Sequence, residues 1–204
     1  MVASSNPHKV KEFEEILLPL GVLLVSLDEA QAGLPEPAED ADTFEENARI
    51  KAIAYARAVN MSCLADDSGL EVDGLAGAPG VRSARYAGAT GSRADRNRAN
   101  NEKLLRELGA LGQVDRTARL VCALCLVDAE GRVLFESRGS WEGEIVDEAR
   151  GEFGFGYDGH LYLSEVGKTA AELSADERNA RSHRGQATRA LVAWLRLNQL
   201  AREP

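Results

Sequence analysis

An α/β fold is predicted by two features of the sequence. Amphipathic helical stretches alternate with short apolar runs along the chain, and a polar, glycine-rich segment directly follows the apolar run Cys63-Leu64-Ala65. Open α/β sheets deliver functional side chains in that order, at the carboxyl ends of their strands. With 204 residues the chain can bury a substantial core without disulfides or metal staples, as one large domain or two small lobes.

After the short apolar start Met1-Val2-Ala3, Asn6 caps a helix with Pro7 in its first turn, and Val10, Phe13, Leu17 and Leu20 form the apolar stripe. Val22 to Val25 reads as a strand. Residues 28–42 are acidic and carry Pro35 and Pro37, which marks a loop. Thr43 and Glu46 form a capping box for an alanine-rich helix that runs to about Val59. The segment from Leu64 to Gly88 follows, and then a polar helix around Asp95 to Leu108. A β-rich stretch from Arg119 to Gly139 turns at Asp128 to Gly131, and a loop of glycines and aromatics at 151–159 leads to a short strand near Leu161. Ser174 and Glu177 form a second capping box, and the last helix carries Leu191, Trp194 and Leu195 on its apolar face.

A net charge of −9 and a pI near 5.0 argue against a general nucleic-acid surface, which needs a basic stripe. An anionic ligand would therefore need locally placed Lys, Arg or metal. Cys122 and Cys125 lie in the apolar run Leu120–Val127, and their odd separation points them to opposite faces of a strand, so structural thiols are expected. No apolar run reaches the ~20 residues needed to cross a bilayer, and no secretory leader is evident, so no membrane contact and a cytoplasmic location are expected.

Asp66 and Asp67 are expected at a strand's carboxyl end, on opposite faces. Adjacent carboxylates repel unless a cation neutralises them, so one would hold a hard divalent ion or activate water while the other anchors the loop. Ser4-Ser5-Asn6-Pro7-His8-Lys9 opens the first helix, where small residues, free N–H groups and a mobile ammonium suit phosphate; Ser and Asn there are equally ordinary caps. Lys51 could reach the same pocket or could be a solvated lysine. Gly154-Phe155-Gly156-Tyr157-Asp158-Gly159 matches the dinucleotide fingerprint in letters only, because a strand-like His160 to Leu163 follows instead of a helix. The segment suits a loop presenting Phe155, with Tyr157, as a stacking face for a flat base and Asp158 for its edge; a buried aromatic pair is the alternative. Ser182-His183-Arg184, with Arg178 shortly before, puts cations at a helix amino end, where the dipole disfavours them unless something negative is bound. There is no Gly-x-Ser-x-Gly elbow and no Walker loop.

Six ordered blocks carry a resemblance over nearly the whole chain: Ser4 to Lys9, Thr43 to Ala48, Asp66 to Leu70, Ser83 to Gly88, Phe155 to Asp158 and Ser182 to Arg184. Together they resemble the inosine triphosphate pyrophosphatase family, the Ham1-type pyrophosphatases of non-canonical purine nucleoside triphosphates. The resemblance implies an ITPase-like α/β fold in which residues 1–204 form a single domain of two lobes, with a long mixed central sheet flanked by helices and a cleft between the lobes. It implies hydrolysis of ITP, dITP or XTP to the monophosphate and pyrophosphate with Mg2+, by a homodimer that binds a small-molecule purine nucleotide.

By the same resemblance Asp67 is the proton acceptor and a metal ligand, Glu39 the second metal carboxylate, and Ser68 a substrate contact. Ser4, Ser5, Asn6 and Lys9, with Lys51, would hold the triphosphate. Phe155, Gly156, Tyr157 and Asp158 would bind the base, while Arg178, His183 and Arg184 close over it, with Arg184 and backbone donors facing the purine 6-oxo group. The chain departs from the family pattern in four places. Gly159-His160-Leu161 stands where proline is usual, which implies a looser loop; Arg178 replaces lysine; Ser5 replaces glycine; and Asp40-Ala41 replaces Thr-Gly, leaving Glu36 and Asp42 as substitutes for Glu39. Two other readings remain open: a Maf-type pyrophosphatase acting on modified nucleotides, and a non-catalytic nucleotide-sensing module.

Overall fold

Four polar residues set where helices begin. The computed structural model of the chain describes residues 1–200 except 5, 23, 28–33, 35 and 36. In it Asn6 accepts the His8 N–H to cap α1 (Pro7–Leu17), and Thr43 accepts the Glu46 N–H to cap α2 (Phe44–Val59). Ser92 caps α3 (Arg93–Ala110), and Ser174 with Glu177 closes both legs of a capping box on α4 (Ala175–Arg181). A side-chain acceptor at each start satisfies a backbone N–H that the helix cannot. The last helix, α5 (His183–Leu200), begins within Ser182-His183-Arg184 as expected.

Six strands form one mixed sheet in sequential order: β1 (Val2–Ala3), β2 (Cys63–Val72), β3 (Thr117–Val127), β4 (Val133–Ile145), β5 (Leu161–Leu163) and β6 (Lys168–Thr169). β1 pairs parallel with β2, Val2 opposite Leu64 and Ala3 opposite Ala65, whereas β4–β5 and β5–β6 are antiparallel. The α/β class is thus as predicted. The expected strand at Val22 to Val25 is not formed among its described residues. There the Val25 carbonyl accepts the Val2 N–H at 2.9 Å and Ser26 makes a single parallel bridge to Val2, which a two-residue β1 cannot extend. The segment 154–159 is followed by β5 and not by a helix, which removes the dinucleotide-fingerprint reading.

The chain divides into two compact units. One comprises residues 1–67, 122–139 and 183–204, the other residues 68–121 and 140–182. The core of the first joins Phe13 and Leu17 of α1 to Val2, Leu64, Cys122 and Leu124 of the strands and Ala187 and Leu191 of α5. The core of the second packs Leu104 and Leu108 of α3 against Leu70, Leu120, Trp141, Ile145, Leu161 and Leu163. Each such leucine, fully buried, contributes about 1.5–3 kcal/mol through apolar area removed from water. All three cysteines are buried and none forms a disulfide, consistent with structural thiols, and burial pushes Cys63 and Cys125 up to about 12. No helix among the described residues is long and apolar enough to cross a membrane.

Gly139 of β4 brings α5 close in the first unit. A Cβ there would stand 2.1 Å from the His183 carbonyl oxygen and 3.0 Å from the Ala187 nitrogen, and the neighbouring Ser137 hydroxyl donates to the Ala187 carbonyl at 3.0 Å. Gly139→Ala should therefore destabilise the protein by about 2 kcal/mol through overpacking. The urea midpoint measures this, and an unchanged midpoint would contradict the close approach.

Candidate active site

The register of β1 on β2 decides where the acidic pair meets the first helix. Ala3 is the last paired residue of β1 and faces Ala65, so the chain leaves β1 at Ser4 just where β2 reaches Asp66. Asp66 and Asp67 are accordingly inside β2, not at its carboxyl end as expected; it is β1 that ends beside them. Both carboxylates are buried. As neighbours on a strand they turn to opposite faces and find different cations. Asp66 Oδ2 accepts from Lys9 Nζ at 2.7 Å and lies 3.7 Å from Arg184 Nη2. Asp67 Oδ1 accepts from Lys51 Nζ at 3.2 Å, and that ammonium also meets Glu39 Oε1 at 2.8 Å. Arg184 is closed on its other side by the Glu12 carboxylate.

Local structure explains this convergence within the first unit. Lys9 and Glu12 are one turn apart on α1, so one helix face presents a cation to Asp66 and an anion to Arg184. Asn47 and Lys51 share a face of α2 in the same way. The fully buried Asn47 amide accepts the Ala41 N–H at 3.1 Å and donates to the Ala41 carbonyl at 3.3 Å, fastening the acidic segment that carries Glu39. Glu36 lies outside the described residues, and Asp42 is exposed. Sequence reasoning missed Glu12, whose signal was its spacing three residues after Lys9.

The cluster sets protonation states. Burial alone would push Asp66 up, but Lys9, Arg184 and Lys51 outweigh it and hold its carboxyl well below the ordinary range. Asp67 moves the other way: burial raises it, Lys51 and Lys9 only partly oppose that, and the charges of Glu39 and Asp66 add to the rise. Burial would lower Lys51, yet Asp67, Asp66 and Glu39 hold its ammonium above the usual range. The two neighbouring aspartates therefore differ in chemistry: a permanent anion at 66, and at 67 a carboxylate with raised proton affinity. Asp67 Oδ2 is buried with no hydrogen-bond partner.

Around this core, the Ser4 hydroxyl accepts the Asn6 N–H at 3.2 Å and Asn6 caps α1, so both serve the turn that presents Lys9. Ser5 lies outside the described residues. Ser68 follows Asp67 in β2, half-buried. Arg184 at the amino end of α5 is compensated by Glu12 and Asp66, so the negative partner expected there is supplied by the protein itself. His183 is buried with Nδ1 unpartnered, and burial, with Arg184 and Lys9, drives its pKa well below 6.5.

The second unit holds the aromatic loop. Gly154 and Gly156 have φ of +79° and +66°, flanking a half-buried Phe155 whose N–H donates to Asp158 Oδ2 at 2.9 Å. Tyr157 offers no stacking face; its ring belongs to the core and its hydroxyl donates to the Ser83 carbonyl at 2.9 Å. The loop after it is not loosened by Gly159-His160. His160 Nδ1 donates to the Val146 carbonyl at 2.9 Å, the Val146 N–H returns a bond to His160 at 2.9 Å, and Arg150 N–H bonds Gly159 at 3.0 Å. Arg178, half-buried on α4, donates to the Leu173 carbonyl at 3.3 Å.

A buried neutral imidazole makes folding oppose protonation, so its penalty is absent above pH 6.5 and grows as pH falls below that value, where the unfolded chain takes up the proton. Relative to His183→Gln, the wild type should lose about 1.4 kcal/mol of stability between pH 7.5 and 5.5. Denaturant melts at the two pH values measure it; parallel behaviour of the two proteins would show that folding does not lower the proton affinity of His183.

Comparison with known proteins identifies the family. The model of the Ham1 family matches residues 1–194. A protein of Ralstonia nicotianae named dITP/XTP pyrophosphatase is 48% identical over 199 residues, covering 97% of this chain and 96% of its own length. A Bacillus subtilis protein of the same name is 48% identical over 196 residues, covering 96% of each. Among solved structures, a HAM1 protein from Coxiella burnetii aligns with a TM-score of 0.85 at 40% identity, over 95% of this chain and 96% of its own. The Ham1 protein of Staphylococcus aureus aligns with a TM-score of 0.83 at 38% identity, over 97% of both chains. With the family model spanning nearly all of the sequence and relatives near half identity over almost its full length, the chain belongs to the Ham1 family.

Proposed function

We propose that this chain hydrolyses non-canonical purine nucleoside triphosphates, dITP and XTP and by the same chemistry ITP, to the monophosphate and pyrophosphate. Its relatives' name, dITP/XTP pyrophosphatase, supports the substrate class. The observation that carries the reading is the buried Asp66–Asp67 pair with its three cations, which puts a carboxylate of raised proton affinity beside ammonium groups able to receive phosphate oxygens.

In this reading Lys9 and Lys51 bind the triphosphate and offset the negative charge that repels an incoming oxygen nucleophile. Ser4, Ser5 and Asn6 are the further phosphate-binding residues of the proposal, and Ser68 adds a hydroxyl. Water attacks the α-phosphorus as the Asp67 carboxylate takes its proton. The new bond joins the water oxygen to the α-phosphorus, the bridging oxygen between α- and β-phosphorus leaves with the electron pair, and pyrophosphate departs. Asp66 stays ionised throughout and holds Lys9 and Arg184 in place.

The donor set fits a hard divalent cation, Mg2+ in this proposal. Four carboxylates, Glu12, Glu39, Asp66 and Asp67, meet three cations in the cluster, and Asp67 Oδ2 is an oxygen donor without a partner. No group of three or more His, Cys, Asp or Glu able to hold a metal exists among the described residues. An ion such as Mg2+ takes one or two carboxylates and completes its shell with waters and substrate phosphates. Asp67 and Glu39 would hold it, and when bound it supplies charge neutralisation at the phosphates and a more acidic water.

For the base, Phe155 supplies the stacking face, with Gly156, Tyr157 and Asp158 shaping the loop around it, and Arg178, His183 and Arg184 are the further substrate-binding residues of the proposal. Donors facing a 6-oxo oxygen would meet another donor in the 6-amino group of adenine, a mismatch worth up to ~10⁴-fold. A homodimer and a cytoplasmic location complete the proposal.

The test measures products from dITP, XTP, ITP and the four common triphosphates. Pyrophosphate from the first three, with little from ATP or GTP, is expected; orthophosphate in its place would refute the reaction. Asp67→Asn should lower kcat by about 10²–10⁴ while dITP still binds. A wild type that binds dITP without turnover would make the protein a sensor.

A further inference from the structure

Two adjacent asparagines on α3 grip two different loops of the second unit. Asn100 is almost fully buried, and its whole amide is engaged: Oδ1 accepts the Ala87 N–H at 2.8 Å, while Nδ2 donates to the carbonyls of Ser83 at 3.1 Å and Ala84 at 3.3 Å. The Ser83 carbonyl so fixed also accepts the Tyr157 hydroxyl at 2.9 Å. Asn101 reaches the aromatic loop directly, with Nδ2 donating to the Gly156 carbonyl at 3.1 Å. Its Oδ1 is buried and has no partner. Because the Gly156 group is a carbonyl, only the NH2 end of the amide can face it, so the orientation of Asn101 is fixed by chemistry.

The loop needs such a tie. Gly154 and Gly156 both adopt left-handed φ, and nothing lies within 4 Å of a Cβ built on Gly156, so glycine stands there for its backbone freedom and not for lack of space. That freedom lets the peptide following residue 156 rotate, and Phe155 moves with it. Asp158 closes the turn from within by accepting the Phe155 N–H, but that bond is internal to the loop and does not fix it to the body of the unit. Asn101 adds a bond from outside at Gly156 itself, beside those of the Tyr157 hydroxyl to the Ser83 carbonyl and of the Ala171 N–H to the Asp158 carbonyl.

We infer that Asn101 is a positioning residue for base recognition: it acts through the Gly156 carbonyl to hold the Phe155 ring in its stacking position, and it contributes a donor only. This rests on the reading of Phe155 as the base-stacking residue. The bond forms the same whether or not the phosphates react, so its loss should weaken binding without slowing chemistry.

The experiment compares Asn101→Asp, Asn101→Ala and Phe155→Ala in steady-state hydrolysis of dITP and in hydrogen exchange. Asn101→Asp sets a carboxylate oxygen against the Gly156 carbonyl at almost unchanged shape. It should raise KM about tenfold with kcat within about threefold, and quicken exchange of the Phe155 and Asp158 amides. The Ala87 amide, held by Asn100, should keep its protection. Should Asn101→Asp not fold, Asn101→Ala, which removes the donor without adding repulsion, carries the same expectations at smaller size. If Phe155→Ala raises KM while the folded Asn101 variants leave KM and loop exchange unchanged, the inference fails and the base-stacking reading survives. If Phe155→Ala leaves KM unchanged, the base-stacking reading fails and takes this inference with it.

Discussion

The ionised carboxylate of Asp66, with almost no solvent contact, is the constraint on which the first unit is built. A carboxylate taken out of water costs several kcal/mol unless its partners are close and well placed. Here Lys9 from α1 and Arg184 from α5 meet that need, and Glu12 in turn closes Arg184. Two helices and a strand far apart in sequence are thereby held in one register by four charges. The arrangement also fixes the character of residue 67. Burial raises the proton affinity of Asp67 against the opposing pull of Lys51 and Lys9, and the charges of Glu39 and Asp66 add to the rise. One aspartate is committed to structure, and in the proposed function its neighbour does the chemistry.

The second unit solves a different problem, that of holding a glycine-rich loop still. Its answer is neutral hydrogen bonding. Side-chain amides from α3 donate to the carbonyls of Ser83 and Gly156, the Tyr157 hydroxyl of the loop donates to the Ser83 carbonyl, and the His160 ring donates to the Val146 carbonyl. Arg178 adds a bond to the Leu173 carbonyl. Neutral bonds to backbone suit a surface that would meet an uncharged purine, as charges suit one that would meet phosphates.

Local signals were the legible ones. Asn6, Thr43 and Ser174 announced their helices because a cap and its N–H are two or three residues apart. The apolar run at 120–127 announced β3 because two buried faces need no alternation. Non-local pairing was less legible. Val22 to Val25 has strand composition, but its described residues find only the short β1 beside them. β2 runs on through Asp66, Asp67 and Ser68 to Val72, where the sequence suggests that a strand should stop, because Lys9, Lys51 and Arg184 neutralise the acids inside the sheet. The acidic pair itself stood out in the sequence, but its internal cations and the role of Glu12 depend on which helices arrive there. Tyr157 looked like a stacking ring and is a core residue, since its hydroxyl finds a carbonyl 74 positions away.

A crystal structure with a non-hydrolysable dITP analogue and Mg2+ is the most direct test of the central claim. The account predicts phosphate oxygens on the ammonium groups of Lys9 and Lys51, the cation on Asp67 and Glu39, and Asp66 still paired with Arg184. Phosphates bound elsewhere, with the Lys9–Asp66 and Lys51–Asp67 pairs undisturbed and no cation at residue 67, would contradict it.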